Sequence, residues 1–135
     1  MKYLTDYTKE AQSKLFKELK VMFAFSEEQL AEGMEENGIK DKKGLISLGA
    51  GLILPEKNLK EFKNRMDSIV KEGQALDLAE NGKDRVLERE LANYEIGYAT
   101  RRWNDENFRD GIDGYNFTEE EIKNAYYKHI ENYEY

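Results

Sequence analysis

The chain has 135 residues, of which 36% are charged and 12% are aromatic, and its formal net charge at pH 7 is −7. A chain of this length can bury roughly two thirds of its unfolded surface, so one core and one domain are enough. The absence of cysteine excludes disulfide frameworks, thiolate catalysis and the usual structural zinc sites. The negative charge argues against sequence-specific nucleic-acid binding, which needs clustered Lys and Arg.

Targeting and membrane signals are missing from the sequence. It contains no apolar run of 18 residues and no signal-peptide core. We therefore expect a protein that neither spans a membrane nor is exported, and that works in a reducing cytoplasm.

The N-terminal part of the chain predicts one helix. It covers residues 5–20 and places Leu15, Phe16 and Leu19 on one side. The apolar segment 21–25 that follows could end this helix or form a buried extended piece.

A second helix is indicated by its two ends. Ser26 and Gln29 have the spacing of a capping box, in which each side chain satisfies a backbone N–H of the other residue. The helix should begin at Glu27. It should end at the Asn-Gly pair 37–38, where glycine can adopt the left-handed conformation that closes a helix.

Two short β-prone runs, 45–48 and 52–54, flank the flexible residues 49–51. This pattern predicts a small hairpin. After the hairpin, apolar residues at helical spacing predict an amphipathic helix over residues 59–78, and the Asn-Gly pair 81–82 breaks it.

A further helix is predicted over residues 84–100. It places Leu87, Leu91, Tyr94 and Tyr98 on one stripe. The other faces of this helix are charged, and whether the tyrosines face solvent or the core stays open.

A last helix is predicted at the C-terminus. Thr118 and Glu121 form a second capping box, and apolar and aromatic residues follow at helical spacing as far as Tyr133. His129, the only histidine, could belong to the inward face. The predicted fold is therefore mainly α, or α+β with one small β-hairpin, with four to five helices packed as a single compact domain over residues 1–135.

The acidic excess is confined to the later part of the chain. Residues 1–60 hold ten acidic and ten basic side chains, so all the excess negative charge lies after Lys60. Seven of the nine tyrosines and the only tryptophan, Trp103, lie from residue 94 onward. The C-terminal third is acidic and rich in tyrosine.

A contact surface is predicted in this third. Arg101 and Arg102 adjoin Trp103, a composition enriched in binding hot spots. Alternatively, Trp103 fills the core while the arginines complement a helix C-terminus. The predicted partner-binding residues are Tyr98, Arg101, Arg102, Trp103, Asp105, Glu106, Asp110 and Asp113.

Metal and cofactor sites are not predicted. The acidic segment 105–114 fails the calcium-loop spacing, because Arg109 takes the fifth position counted from Asp105. Residues 49–51 resemble part of a phosphate-binding loop, but no GK[ST] follows them. We read segment 105–114 as a solvated loop.

Catalysis is not predicted either. No GxSxG elbow occurs, and no motif supplies a reacting partner for His129. Glu95 borders the apolar stripe and could be partly buried, as site carboxylates often are, or it could pair with a tyrosine or an arginine. The protein is therefore expected not to be an enzyme, with a small-ligand or enzymatic role for Glu95, Tyr98 and His129 as the alternative.

Several short segments resemble small bacteriophage-encoded proteins that have no established activity. They are Phe-Ala-Phe-Ser at 23–26, Ser-Leu-Gly-Ala-Gly at 47–51, and Glu-Leu-Ala-Asn-Tyr-Glu at 90–95 followed by Tyr98. The likeness covers most of residues 15–100. It implies a phage or prophage origin.

Small, acidic, cysteine-free phage proteins are often inhibitors of host defence, including anti-CRISPR proteins, and this analogy rests on origin and composition. The first functional hypothesis is binding to a CRISPR-Cas effector nuclease with its guide RNA. An acidic surface is attracted to the positively charged channel of such an enzyme. The alternative is a phage housekeeping or assembly module that binds another phage protein or itself.

Overall fold

The computed structural model describes residues 2–132, and it shows a mainly helical α+β fold. The predicted fold class is confirmed. The described residues form six α-helices, three strands and one 3-10 turn, in the order α1 Leu4–Glu18, β1 Met22–Phe23, α2 Glu27–Glu36, β2 Leu45–Gly49, β3 Leu52–Pro55, the turn Glu56–Asn58, α3 Leu59–Asn81, α4 Lys83–Asn93, α5 Glu106–Ile112 and α6 Glu119–Glu131.

The strands form one antiparallel sheet in the order β1-β3-β2. The predicted hairpin is present, with Ile46 opposite Leu54 and with Ala50 and Gly51 in its turn. Met22 of β1 pairs with Ile53, so the apolar segment after α1 is the extended piece and not the end of the helix. The sheet therefore has a third strand that the hairpin pattern did not predict.

The described residues cluster into two compact units, and each has its own hydrophobic cluster. The first unit is Thr8–Val70, and the second contains residues 2–7 and 71–132. The cluster of the first unit consists of Leu15, Leu19, Val21, Leu54 and Phe62. The cluster of the second unit consists of Val86, Leu87, Leu91, Ile96, Phe108, Ile112, Tyr115 and Ile122. The single domain over residues 1–135 stays a prediction.

Both predicted capping signals mark helix starts. Thr118 accepts from the backbone of Glu121 and the Glu121 carboxylate accepts in return, which is a complete capping box. At α2, Ser26 accepts from Gln29, but Gln29 Oε1 accepts from the N–H of Phe25, one residue before the predicted donor. The reciprocal half of that predicted box is therefore wrong, although α2 begins at Glu27 as predicted.

The helix predicted over residues 84–100 is wrong in its second half. Helix α4 ends at Asn93, and Glu95 follows with a φ of 54°. The N–H of Ile96 donates to Leu91 O at 2.9 Å, and the N–H of Glu95 donates to Ala92 O at 3.1 Å. These two bonds make a Schellman motif in which glutamate occupies the position that glycine usually takes.

The acidic segment after Trp103 contains a helix, whereas the sequence predicts a solvated loop. Residues Glu106–Ile112 form α5, with Asp105 as the N-cap that accepts from Phe108 N. Phe108 and Ile112 lie one helical turn apart and are both buried. This apolar pair stabilises a short helix in spite of the glycine at position 111.

Among residues 2–132, none of the helices combines the length and the apolar character needed to cross a membrane. The last residue of the predicted C-terminal stripe, Tyr133, lies outside the described residues.

The ends of α1 and α2 allow a direct test of how much stability a residue other than glycine costs at the left-handed position that closes a helix. Lys20 closes α1 with a φ of 56°, and Gly38 closes α2 with a φ of 67°. A residue with a Cβ costs roughly 1 kcal/mol more than glycine in this conformation. We expect Lys20→Gly to raise the free energy of unfolding by about that amount and Gly38→Ala to lower it similarly, as measured by urea denaturation.

Lys20→Ala is the matched control, because it removes the side chain and keeps the Cβ. It should leave stability within about 0.5 kcal/mol of the wild type. Equal gains from Lys20→Gly and Lys20→Ala would contradict the backbone explanation.

Candidate functional site

Residues 94–101, which we call the Tyr98 loop, connect α4 to the segment before α5. Glu95, Gly97 and Ala99 all have positive φ, at 54°, 91° and 56°. The loop is closed by two bonds: Gly97 N–H donates to Arg101 O at 2.9 Å, and Arg101 N–H donates to Tyr98 O at 3.2 Å. The alternating left-handed residues fold the loop tightly and leave the Tyr98 side chain 67% exposed.

Tyr98 does not continue the predicted helical stripe. Leu87 and Leu91 are buried and Tyr94 is half-buried, but Tyr98 faces solvent. The helix that would have turned Tyr98 inward ends at Asn93. Tyr98 is therefore available for contacts, as the predicted set of binding residues requires.

Two contacts of Tyr94 anchor the first end of the Tyr98 loop. Its ring meets Phe108 edge-on at a centroid distance of 6.3 Å. The same ring covers the backbone of Gly111, where a Cβ would lie 2.6 Å from ring atoms. The loop thus starts from a ring fixed on α5.

Arg101 fixes the second end of the loop. Its Nη1 donates to Tyr94 O at 3.1 Å and lies 3.3 Å from the Glu95 carboxylate. Glu95 is exposed, so the alternative in which this carboxylate is partly buried is wrong. It pairs with an arginine, as the other alternative predicts. The neighbouring Arg102 is exposed and has no ion-pair partner among residues 2–132.

Of the two alternatives that the sequence leaves open for Trp103, the structure has the position on the core, although the side chain is not fully buried. It is half-buried and packs against the hydrophobic cluster of the second unit. The cations of Arg109 and Lys123 lie 5.5 Å and 4.6 Å from its ring centre, and Arg109 Nε donates to Trp103 O at 3.0 Å. These cation–π contacts hold the ring in place next to the Tyr98 loop.

Three of the predicted acidic contacts lie on one face of α5 and its C-terminal cap. Glu106, Asp110 and Asp113 are exposed and follow each other at helical spacings of four and three residues. No ion pair links these three residues, which we call the acidic face, to a cation in the part of the chain that the structure describes. Asp105 differs, because its carboxylate caps α5.

Nearby carboxylates remain ionised for identifiable reasons. The hydrogen bond from Arg109 holds the pKa of Glu119 below its ordinary value. The backbone N–H of Thr118, followed by Lys83, lowers the pKa of Glu121. Within residues 2–132, no group of acidic and histidine side chains is arranged to hold a metal ion.

A buried ion pair, which we call the Asp77–Arg89 clasp, lies beneath these surfaces. The two guanidinium nitrogens of Arg89 donate to the two carboxylate oxygens of Asp77 at 2.9 and 2.8 Å. Tyr115 and Asn81 donate to the same carboxylate, each at 2.7 Å. The side chains of the pair are 0% and 2% exposed.

The remaining donors of Arg89 are also occupied. Nε donates to Glu90 at 2.8 Å, and Nη1 donates to the backbone oxygen of Lys2 at 3.1 Å. Nη2 lies 3.4 Å from the Tyr115 hydroxyl, and the Tyr3 ring lies 5.6 Å from the guanidinium. Because the guanidinium has five N–H groups and each has a partner, it has no donor left for a ligand.

The clasp keeps its charges against the cost of burial. Burial alone would raise the pKa of Asp77, but the hydrogen bonds from Arg89, Tyr115 and Asn81 outweigh it and hold the pKa below 3.8. The pKa of Tyr115 is raised by burial and by its bond to Asp77. The clasp is therefore a structural ion pair.

His129 is buried, as predicted for the inward face of the last helix. Its Nε2 lies 2.9 Å from Ile96 O, and its Nδ1 lies 2.7 Å from the Glu88 carboxylate. Nε2 must donate, because a carbonyl oxygen only accepts. With both ring nitrogens engaged and Glu95 paired with Arg101, the arrangement does not favour an acid–base site formed by Glu95, Tyr98 and His129.

The sequence interpretation did not identify the clasp, although a signal for it exists. Asp77 continues the apolar stripe of α3 at helical spacing from Met66 and Val70. Arg89 follows the buried Val86 by three residues. A charged residue at an inward position of an apolar stripe indicates a buried ion pair.

Residues 4–125 match the model of a family of unknown function, DUF7659. The chain belongs to this family. No curated protein and no solved structure matches the chain. The family match includes the clasp, the Tyr98 loop and the acidic face, and it ends within α6.

Removal of the Asp77 charge should destabilise the protein strongly. Asp77→Asn removes the bidentate partner of Arg89 and leaves Glu90 as the one carboxylate paired with the buried guanidinium among the described residues, which costs about 3 kcal/mol of unfolding free energy. Glu72→Gln, an exposed change on the same helix, should cost less than about 0.5 kcal/mol. Urea denaturation at pH 7 measures both variants.

Urea denaturation repeated in acid tests whether the Asp77 carboxylate is ionised in the folded protein. Because the folded pKa of Asp77 lies below 3.8, its contribution is complete above that pH and is lost as the pH falls through the folded value. The free energy of unfolding of the wild type should therefore fall more steeply below about pH 4 than that of Asp77→Asn. Parallel curves would show that Asp77 is not the titrating group.

Proposed function

We propose that this protein is a non-enzymatic, partner-binding protein, and that its contact surface is the Tyr98 loop with the adjoining acidic face. The observation that carries the proposal is the loop itself. It holds an exposed tyrosine on a backbone with three left-handed residues, two of which are not glycine.

Left-handed non-glycine residues cost free energy, so they persist only where their surroundings fix them. Here the surroundings are the Tyr94 ring on α5 and the Arg101 bond to the backbone of Tyr94. A tyrosine fixed in this way loses little entropy on binding, and tyrosine and arginine are enriched in binding hot spots. The geometry supports Tyr98, Arg101 and Arg102 as central contacts.

The acidic face supports a partner with a positively charged surface. Three exposed carboxylates without ion-pair partners in the described chain steer such a partner electrostatically. RNA-guided nucleases hold nucleic acid in a positively charged channel. Together with the resemblance to phage proteins, this favours a CRISPR-Cas effector with its guide RNA as the partner, bound in the bacterial cytoplasm.

The test is affinity capture of purified effector nucleases by the full chain, with guide RNA present and absent. Tyr98→Ala should weaken capture about tenfold or more, because loss of a hot spot costs upwards of about 1.4 kcal/mol. Tyr127→Ala is the matched control, since Tyr127 is also an exposed tyrosine, 54% exposed, but it lies on α6. It should leave capture unchanged.

Two results would contradict this proposal. One is that no effector is retained under either condition. The other is equal weakening by Tyr98→Ala and Tyr127→Ala. Added salt separates the two contributions, because association steered by the acidic face slows as ionic strength rises, whereas contacts of Tyr98 do not depend on it.

A second candidate function is a phage assembly module, and an apolar patch in the first unit favours it. Phe23 and Phe25 are 55% and 75% exposed, and Leu48 lies at the hairpin with 38% exposure. Exposed apolar patches of this kind mark association sites. Light scattering over a concentration series should then show dimers or larger species that Phe25→Ser abolishes, and a monomer throughout would exclude self-association.

A further inference from the structure

A cavity in the first unit lies where several turns of the chain come together. Lys20 and Gly38, which close α1 and α2, line it together with Lys57, near the start of the helical run that becomes α3. Its volume is about 610 Å³, which is within the range of small-molecule sites. All the residues that line it belong to Thr8–Val70, so the first unit alone forms this cavity.

Two glycines keep the space beside these turns open. Gly38 and Gly44 both line the cavity, with φ of 67° and 82°. A Cβ added at either position would meet no other part of the protein within 4 Å, apart from its chain neighbours. A ligand in the cavity can therefore approach the backbone of both turns closely.

The charged side chains of the cavity are mostly positive. Lys20, Lys43 and Lys57 line it, against one carboxylate, that of Glu56. All four residues are exposed, and none of them has an ion-pair partner among residues 2–132. The cavity therefore has an excess of two positive charges, in a chain whose net charge is −7.

The surroundings reduce this excess but do not reverse its sign. The ends of α1 and α2 and the start of the run into α3 together add about half a negative charge. On the adjoining surface, Glu27 pairs with Lys42 at 2.6 Å, and Lys40 lines the same surface as Glu35 and Asp41. That surface has one negative charge in excess, so the positive charge is concentrated in the cavity.

The remaining wall of the cavity is apolar. Pro55 is buried, and Ile39 and Leu45 are half-buried. An inorganic ion would leave this wall in contact with water, whereas the apolar part of an organic ligand covers it, which is favourable by about 25 cal/mol per Å². The cavity therefore fits an anion that carries an apolar or aromatic group.

A phosphate monoester is the anion that these charges match. At pH 7 it has a charge of about −1.5 to −2, close to the excess of two in the cavity, whereas a carboxylate has a single charge. Its three terminal oxygens can accept charge-assisted hydrogen bonds from three ammonium groups.

We infer that this cavity binds the phosphate monoester of a small apolar or aromatic molecule. Lys20, Lys43 and Lys57 surround the phosphate, and Ile39 and Leu45 contact the organic group. The site includes no residue of the Tyr98 loop or the acidic face, so the inference goes beyond the proposed function.

The probe is 1-naphthyl phosphate, titrated into the full chain and followed by isothermal titration calorimetry. Two comparison compounds each lack one recognised feature: 1-naphthoate has the ring with a single negative charge, and glycerol 3-phosphate has the phosphate without the ring. We expect 1-naphthyl phosphate to bind at least about fivefold more tightly than either of them.

Neutralisation of two lysines locates the phosphate. Lys43→Gln/Lys57→Gln should weaken binding of 1-naphthyl phosphate about tenfold, and Lys20 is kept because its backbone closes α1. The control Lys63→Gln/Lys128→Gln makes the same change in net charge at exposed residues that do not line the cavity. It should weaken binding less than about twofold. Circular dichroism checks that each variant remains folded.

Neutralisation of the carboxylate in the cavity should have the opposite effect. Glu56→Gln removes the one negative side chain that lines it, so the affinity for 1-naphthyl phosphate should rise about threefold. Glu72→Gln, the same change at an exposed residue of α3 outside the cavity, should leave the affinity within about 1.5-fold of the wild type.

Three results would overturn the inference. They are no binding of 1-naphthyl phosphate, equally tight binding of either comparison compound, and equal effects of the cavity variants and their controls. Tyr98→Ala should leave binding of 1-naphthyl phosphate unchanged. A failure here is therefore distinguishable from a failure of the proposed contact at the Tyr98 loop.

Discussion

The bidentate ion pair of Asp77 and Arg89 ties the last turns of α3 to the middle of α4, and it receives a further hydrogen bond from Tyr115 after α5. A buried pair of this kind adds little net stability compared with apolar packing, but it tolerates only one arrangement of its donors and acceptors. Its role in this fold is therefore to select the position of α4. The Tyr98 loop begins directly after α4, so its start follows from that position.

The elements that the sequence predicted well are those whose ends are set by local chemistry. Ser26 and Thr118 cap helices through their own side chains, and Gly38 closes α2 in the conformation that glycine favours. The end of α4 escaped prediction because Glu95 takes a glycine position, and no local pattern signals that substitution. Leu91 and Ile96 flank its Schellman bonds, and both are buried by tertiary contacts in the cluster that includes Phe108.

The candidate site was predictable in its composition and not in its geometry. Clustered arginines, a tryptophan and acidic residues after position 94 indicated a contact surface. Only the structure separates Trp103, which is held by two cations on the hydrophobic cluster, from Tyr98, which is exposed. The distinction between an anchor and a contact depends on where α4 stops and on α5. Neither feature could be read from periodicity alone.

The Tyr98 loop and the clasp place opposite constraints on sequence change. Tyr98 and Arg102 make few internal contacts, so substitutions there cost the fold little, and a glycine at Ala99 would relieve backbone strain. Such a segment can change in sequence at little cost in stability. A change at Asp77 or Arg89 needs a compensating change at the other residue. Across relatives of this chain, variation should therefore concentrate at the loop tip, and the two clasp positions should change together or not at all.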